Sequence, residues 1–181
     1  MRVSALAEEF EHLGLLFITR TVFGRTRLFH LERYADIVMG SLAYCVNHRW
    51  FDLHAYVVMP SHIHLILMVA EDHSVGHILR DFCKYTAQQI LFTMQRSDPA
   101  MLSKFRVGTS KQEHKVWQRA VNIKNVLSRE FLVQKAEYIH QNPLELPGIE
   151  NPEEYDYSSA RFYLQGVEDR YVRLSDFREL T

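Results

Sequence analysis

The stretch from Phe51 to Val69 constrains this chain most. It reads FDLHAYVVM, then Pro60-Ser61, then HIHLILMV. Two runs of apolar, β-branched and aromatic residues around a tight break predict strands over Phe51–Met59 and Ile63–Val69, paired as a hairpin. Tyr56, Val57, Val58, Ile63, Leu65 and Leu67 make the surroundings so apolar that the second strand is expected to be central in its sheet. His62 and His64 break that pattern. Alternate residues of a strand share a face, so the two imidazoles project side by side. Burying them there is costly unless each finds a partner. Neighbouring hydrogen-bond groups would serve, and so would a divalent metal ion. The pair alone leaves both solutions open.

The rest of the chain supplies the layers around this hairpin. Leu13–Phe23 (LGLLFITRTVF) reads as a strand, and Gly24–Arg27 as a polar turn. Leu31–His48 carries Tyr34, Ile37, Val38, Leu42, Cys45 and Val46 at helical spacing. Val75–Met94 does the same through Ile78, Leu79, Phe82, Tyr85 and Ile90. Ser97–Thr109 reads as irregular and Lys115–Arg119 as a short fourth strand. Ser128 is a suitable N-cap for a third helix, with Glu130 in its first turn. That helix runs to about Gln141, where Asn142-Pro143 stops it. The remainder is turn-rich, with a short helix near Ser158–Leu164. Strand, helix, hairpin, helix, short strand, helix is the order of an α+β fold. We expect a ferredoxin-like antiparallel sheet, helices packed mainly on one face, and His62-Ile63-His64 on a central strand. The chain of 181 residues is expected to form a single domain, 1–181, with 145–181 as a C-terminal extension.

Composition narrows the class further. No apolar run reaches the ~20 residues that span a bilayer, and Met1–Glu11 is acidic rather than a signal peptide. Cys45 and Cys83 form neither a disulfide framework nor a metal-binding spacing, so they are expected to fill the core of a cytoplasmic protein. The net charge of −1 points to no polyanionic partner, but its distribution is uneven. Lys104, Arg106, Lys111, Lys115, Arg119, Lys124, Arg129 and Lys135 are opposed in their stretch by Glu113 and Glu130 alone. From Glu145 onward acids dominate. A basic stretch beside an acidic tail suits a polyanion groove, and it equally suits an ordinary solvated face.

A second candidate feature lies at the end of the third helix. Tyr138 and Asn142 are four residues apart and so share a helical face. A phenol and an amide oxygen would then point at one place, while His140 faces elsewhere. Two neutral imidazoles and an amide would leave a bound metal its full charge and open positions for phosphate oxygens. Against this stands the commoner role of each residue, a core tyrosine and a helix stop. The chain contains no phosphate-binding G-x-x-x-x-G-K-[ST] loop, no G-x-S-x-G elbow and no H-E-x-x-H. Acids are not gathered near the histidines.

These segments together resemble a known family. Met59-Pro60-Ser61-His62-Ile63-His64-Leu65 is similar to the His-hydrophobic-His (HUH) motif of single-tyrosine transposases. Glu137-Tyr138-Ile139-His140-Gln141-Asn142-Pro143 resembles the nucleophile helix of that family. Leu28-Phe29, Phe82-Cys83-Lys84-Tyr85-Thr86, Val116-Trp117-Gln118 and Tyr157-Ser158-Ser159-Ala160-Arg161 follow in family order. The Trp-Gln and Tyr-Ile-His-x-Asn-Pro blocks point to the branch associated with repetitive extragenic palindromes (REP). Two departures stand out. Ser61 replaces the family's asparagine, and Leu144-Glu145-Leu146-Pro147-Gly148 replaces a basic stretch.

The resemblance implies His62 and His64 as metal ligands, Asn142 as the third ligand and Tyr138 as nucleophile. It implies a DNA transposase, a single-strand endonuclease and transesterase that acts at hairpin DNA through a 5′-phosphotyrosine. Mg²⁺ or Mn²⁺ would be the cofactor, and single-stranded or hairpin DNA the partner. Lys84, Lys104, Arg106, Lys115, Arg119 and Lys124 are the candidate DNA-backbone contacts. Tyr85, Phe105 and Trp117 serve either base stacking or the core. Relatives occur as monomers and as homodimers that exchange the nucleophile helix. Two other readings stay open: a catalytically retired hairpin-binding regulator, and a metal-dependent hydrolase that ignores Tyr138.

Overall fold

The computed structural model describes residues 14–109 and 112–180. Its elements in chain order are β1 (Leu15–Thr21), α1 (Glu32–Asn47), β2 (Phe51–Met59), β3 (His62–Val69), α2 (Val75–Ser97), α3 (Pro99–Ser103), β4 (Arg106–Thr109), β5 (Gln112–His114), β6 (Asn122–Asn125), α4 (Arg129–Gln141) and α5 (Ala160–Gln165). Four strands form one sheet in the order β2-β3-β1-β6, and every pairing is antiparallel. This is the expected α+β, ferredoxin-like arrangement, with the H-x-H strand β3 between β2 and β1. β4 and β5 pair separately.

The two-residue period of β3 divides the molecule. Ile63, Leu65 and Leu67 join the core beneath α1 and α2, with Tyr34, Val38, Leu42, Ile78, Phe82 and Ile90. Ile66 enters a second cluster with Phe17, Val57 and Met59, which α4 closes through Leu132, Ala136 and Ile139. Those three positions are spaced by four and three residues, one stripe of a helix. Helices therefore lie mainly on one face. α4 packs on the other, the face on which the period also places His62 and His64.

Three segments differ from expectation. Lys115–Arg119 makes only an isolated bridge, Val22 to Trp117, and the fourth strand of the sheet is β6. β6 (Asn-Ile-Lys-Asn) is exposed along its length. Backbone bonding to β1 holds it, so hydrophobic pattern does not reveal it. Ser97–Thr109 is ordered into α3, capped by the Asp98 side chain accepting from the Met101 amide, followed by β4. β1 ends at Thr21, and the chain then turns through Gly24 (φ 64°) and Arg25 (φ 54°), both left-handed. The acidic segment Met1–Glu11 and the start of the first expected strand, Leu13, lie outside the described residues.

The segment from 145 to 180 runs along the free edge of β2. The Val58 amide donates to the Tyr157 carbonyl, the Ser159 amide to Tyr56, and the Ser175 amide to Leu53. This covers edge groups that would otherwise be open to pairing. Among the described residues no helix is long and apolar enough to cross a membrane.

Candidate active site

The site is built where β3 and the end of α4 meet. The hydroxyl of Tyr138 lies 3.4 Å from Nε2 of His64. The two rings meet edge to face at 5.1 Å, and the His62 and His64 rings stand 4.8 Å apart. His64 is buried, stacked on Phe17 at 5.4 Å, while Tyr138 is 45% exposed. A protected imidazole and a reachable phenol therefore share one opening.

Each imidazole is held through its other nitrogen. Thr19 is directly opposite His64 in the β1–β3 register, and its hydroxyl shares a 2.8 Å hydrogen bond with His64 Nδ1. Ser61, the residue that departs from the family pattern, places its hydroxyl 3.3 Å from His62 Nδ1. Hydroxyls at both Nδ1 atoms leave both Nε2 atoms for the opening. Burial pushes His64 down to about 3, with the charges of His62 and Lys135 acting in the same direction. Burial also lowers His62, against a hydrogen bond to Asn142 and the charge of Glu145, and with that of Arg25. Both rings are thus neutral near pH 7, the form that carries a free lone pair.

Asn142 completes the arrangement. It is the C-cap of α4, buried at 4% exposure, and its side-chain Nδ2 donates to the Tyr138 carbonyl at 2.7 Å. The same amide hydrogen-bonds His62, which places it against the histidine pair. Among the described residues no group of three or more His, Cys, Asp or Glu could hold a metal ion. An ion bound at the histidine pair would need amide, phenol, water or phosphate oxygens. Glu145 ends the 3₁₀ turn that continues α4, and its charge reaches His62. The departure after Asn-Pro thus bears on the electrostatics of the site.

His140, two residues past Tyr138, faces away as expected. Its Nε2 shares a 3.0 Å hydrogen bond with the Ser159 hydroxyl, and burial lowers it to about 4. Ser159 Oγ also accepts from the Tyr56 amide at 3.0 Å. The Tyr-Ser-Ser-Ala-Arg block is therefore a latch between α4 and β2. The Trp-Gln block is a second fastening: Trp117 Nε1 donates to Thr86 Oγ1 at 3.0 Å, joining the edge segment to α2. Phe105 and Trp117 are core residues, whereas Tyr85 is exposed.

The six basic candidates do not gather at one place. Lys124 pairs with Phe17 in the β1–β6 register and so shares the face of His64. Lys84 projects from α2 and Lys104 caps α3, on the other side of the sheet. Arg106 lies on β4, Arg119 on the exposed edge segment, and the Lys115 ammonium sits 5.7 Å from the Phe23 ring. Lys135, which sequence spacing did not single out, stands beside Tyr138 and His64 instead. A groove of about 640 Å³ between α1 and α2, lined by Asp36, Tyr44, Trp50, Asp81 and Tyr85, shares no residue with the site.

No protein-family model and no curated protein matches the sequence. Solved structures do. A candidate transposase of Deinococcus radiodurans aligns at 16% identity over 69% of this chain and 87% of that one, with a TM-score of 0.49. A REP-associated tyrosine transposase bound to a REP hairpin aligns at 17% identity over 93% of this chain and 92% of that one, with a TM-score of 0.63. Over nearly its whole length, this chain has the fold of a REP-associated tyrosine transposase.

Proposed function

We propose that this protein is a DNA transposase, a metal-dependent single-strand transesterase acting beside DNA hairpins. The observation that carries this reading is the Tyr138 hydroxyl 3.4 Å from His64 Nε2, with Asn142 one helical turn on. All three come from one chain, an arrangement that supports a nucleophile acting in cis. The fold neighbour bound to a REP hairpin supports a hairpin as substrate.

His62 and His64, neutral and each with a hydroxyl at Nδ1, fit a divalent ion, and Asn142 Oδ1 fits a third position. Imidazole and amide donors suit Mn²⁺, and Mg²⁺ fits if water and phosphate oxygens complete its shell. When bound, the ion polarises the scissile phosphate and offsets its developing charge.

The residues of the chain do the rest. His64 and Phe17 fix the position of the Tyr138 ring. Tyr138 Oη gives up its proton to solvent and bonds to phosphorus, while the bond from phosphorus to O3′ breaks and O3′ takes a proton. The products are a 5′-phosphotyrosine and a free 3′-OH. The covalent link conserves the energy of the broken bond, so a strand can be rejoined without a nucleotide cofactor. Lys124 on the same sheet face, with Arg106, Lys115 and Arg119 farther along the edge, would hold the DNA backbone, and Lys84 and Lys104 would extend that contact around α2.

The test is a denaturing gel with labelled hairpin-flanked oligonucleotides and Mg²⁺ or Mn²⁺. The parent protein is expected to form a covalent adduct and Tyr138→Phe none, with hairpin binding retained. Cleavage by Tyr138→Phe to a free 5′-phosphate would point to the hydrolase instead. Binding without cleavage in the parent would point to the retired regulator.

A further inference from the structure

Lys135 occupies an unusual electrostatic position. Its ammonium lies 5.4 Å from the ring of Phe17, 5.1 Å from Phe131 and 5.6 Å from Tyr138. Three aromatic faces hold a cation well. Among the described residues no carboxylate pairs with it. Its charge also bears on His64. A half-buried ammonium without an acid would repel a second cation held by the neighbouring imidazoles. An anion drawn between them would remove that conflict. The phenol that faces this spot would attack such an anion.

On the transesterase reading above, we propose that Lys135 is a catalytic residue that grips a non-bridging oxygen of the scissile phosphate. Phe17 and Phe131 set the position of its stem, one turn before Tyr138 on the same helical face. In the reaction Tyr138 Oη bonds to phosphorus as the bond to O3′ breaks. The phenol proton leaves to solvent and O3′ gains one. The ammonium exchanges no proton and lowers the energy of charge building on the phosphate oxygen. The same contact would then hold the phosphotyrosine for rejoining.

The experiment compares Lys135→Met, which keeps the stem and removes the charge, with Lys135→Arg. One readout is the rate of adduct formation on the labelled hairpin at saturating DNA. Lys135→Met is expected to slow it about 100-fold, the usual effect of one lost charge-stabilising group. Half-saturation by DNA should move less than about 3-fold, because many phosphates share binding. Lys135→Arg should recover most of the rate. The second readout is binding of phenyl phosphate, the smallest phosphotyrosine mimic, to Mg²⁺-saturated protein, followed by amide chemical shifts. Lys135→Met should weaken it about 10-fold, as for a lost charged hydrogen bond. Parent-like binding of phenyl phosphate by Lys135→Met overturns the proposal. If the parent forms no adduct on any hairpin, the transesterase reading fails, and phenyl phosphate still decides whether Lys135 makes an anion site.

Discussion

At the residue scale, the histidine pair acquires meaning from its hydroxyl partners. A neutral imidazole has one N–H, and the group at Nδ1 decides which nitrogen keeps the lone pair. Thr19 sits opposite His64 on β1 and shares the 2.8 Å bond to Nδ1. Outer partners of this kind are worth about 10- to 100-fold in metal affinity. Thr19→Val is therefore expected to weaken Mn²⁺ binding by about 10-fold or more in calorimetric titration. Thr19→Ser should restore it. Equal affinity in all three proteins would show that His64 needs no such partner. Sequence reading did not identify Thr19, because only strand register brings residues 19 and 64 together.

At the element scale, the decisive event is the docking of α4 on the sheet. Leu132, Ala136 and Ile139 supply the apolar stripe, and Ser128 caps the helix by accepting from the Phe131 amide at 3.2 Å. The direction in which Tyr138 points also depends on the far side of the helix. There His140 meets Ser159, and Ser159 accepts the amide of Tyr56. Ser159→Ala leaves these buried groups unpaired and should destabilise the fold by about 1–3 kcal/mol. It should also slow adduct formation, although residue 159 touches neither phenol nor imidazoles. Chemical denaturation and the adduct assay check the two effects. An unchanged denaturation midpoint would mean that the latch is not under load. The spacing of α4 and its cap were readable in the sequence, and so was the tyrosine–asparagine face. That this face docks on the histidines of β3 was implied by the family resemblance and not by local spacing.

At the scale of the molecule, buried neutral histidines make stability depend on acidity. His64 is lowered to about 3 and His140 to about 4, from an ordinary 6.5. Between 6.5 and those values the unfolded chain binds protons that the folded chain refuses. Stability contributed by neutral burial is therefore complete above the ordinary value and is lost as pH falls. The slope approaches about 1.4 kcal/mol per pH unit for each ring. With chelator present, the urea midpoint should drop between about pH 7 and about pH 5. A flat profile over that range would mean that the rings are not neutral inside the fold. Charge follows the same division of the molecule: Lys124 and Lys135 lie toward the His64 face, whereas the acidic C-terminal segment pairs with the far edge of β2.

What the sequence by itself determined is the local physics. Apolar runs around Pro60-Ser61 specify a hairpin, helical periodicity specifies α1, α2 and α4, and the two-residue period puts His62 and His64 on one face. These depend on neighbours within a few residues. Short-range rules could not locate β6, whose pattern is polar and whose place comes from β1. Nor could they place Lys135 over three rings, Thr19 on His64, or His140 on Ser159. Tertiary structure decided those, because each joins residues far apart in the chain whose meeting depends on register and helix docking. The hairpin is thus written in its own residues. The approach of Tyr138 to His64 belongs to the packed molecule.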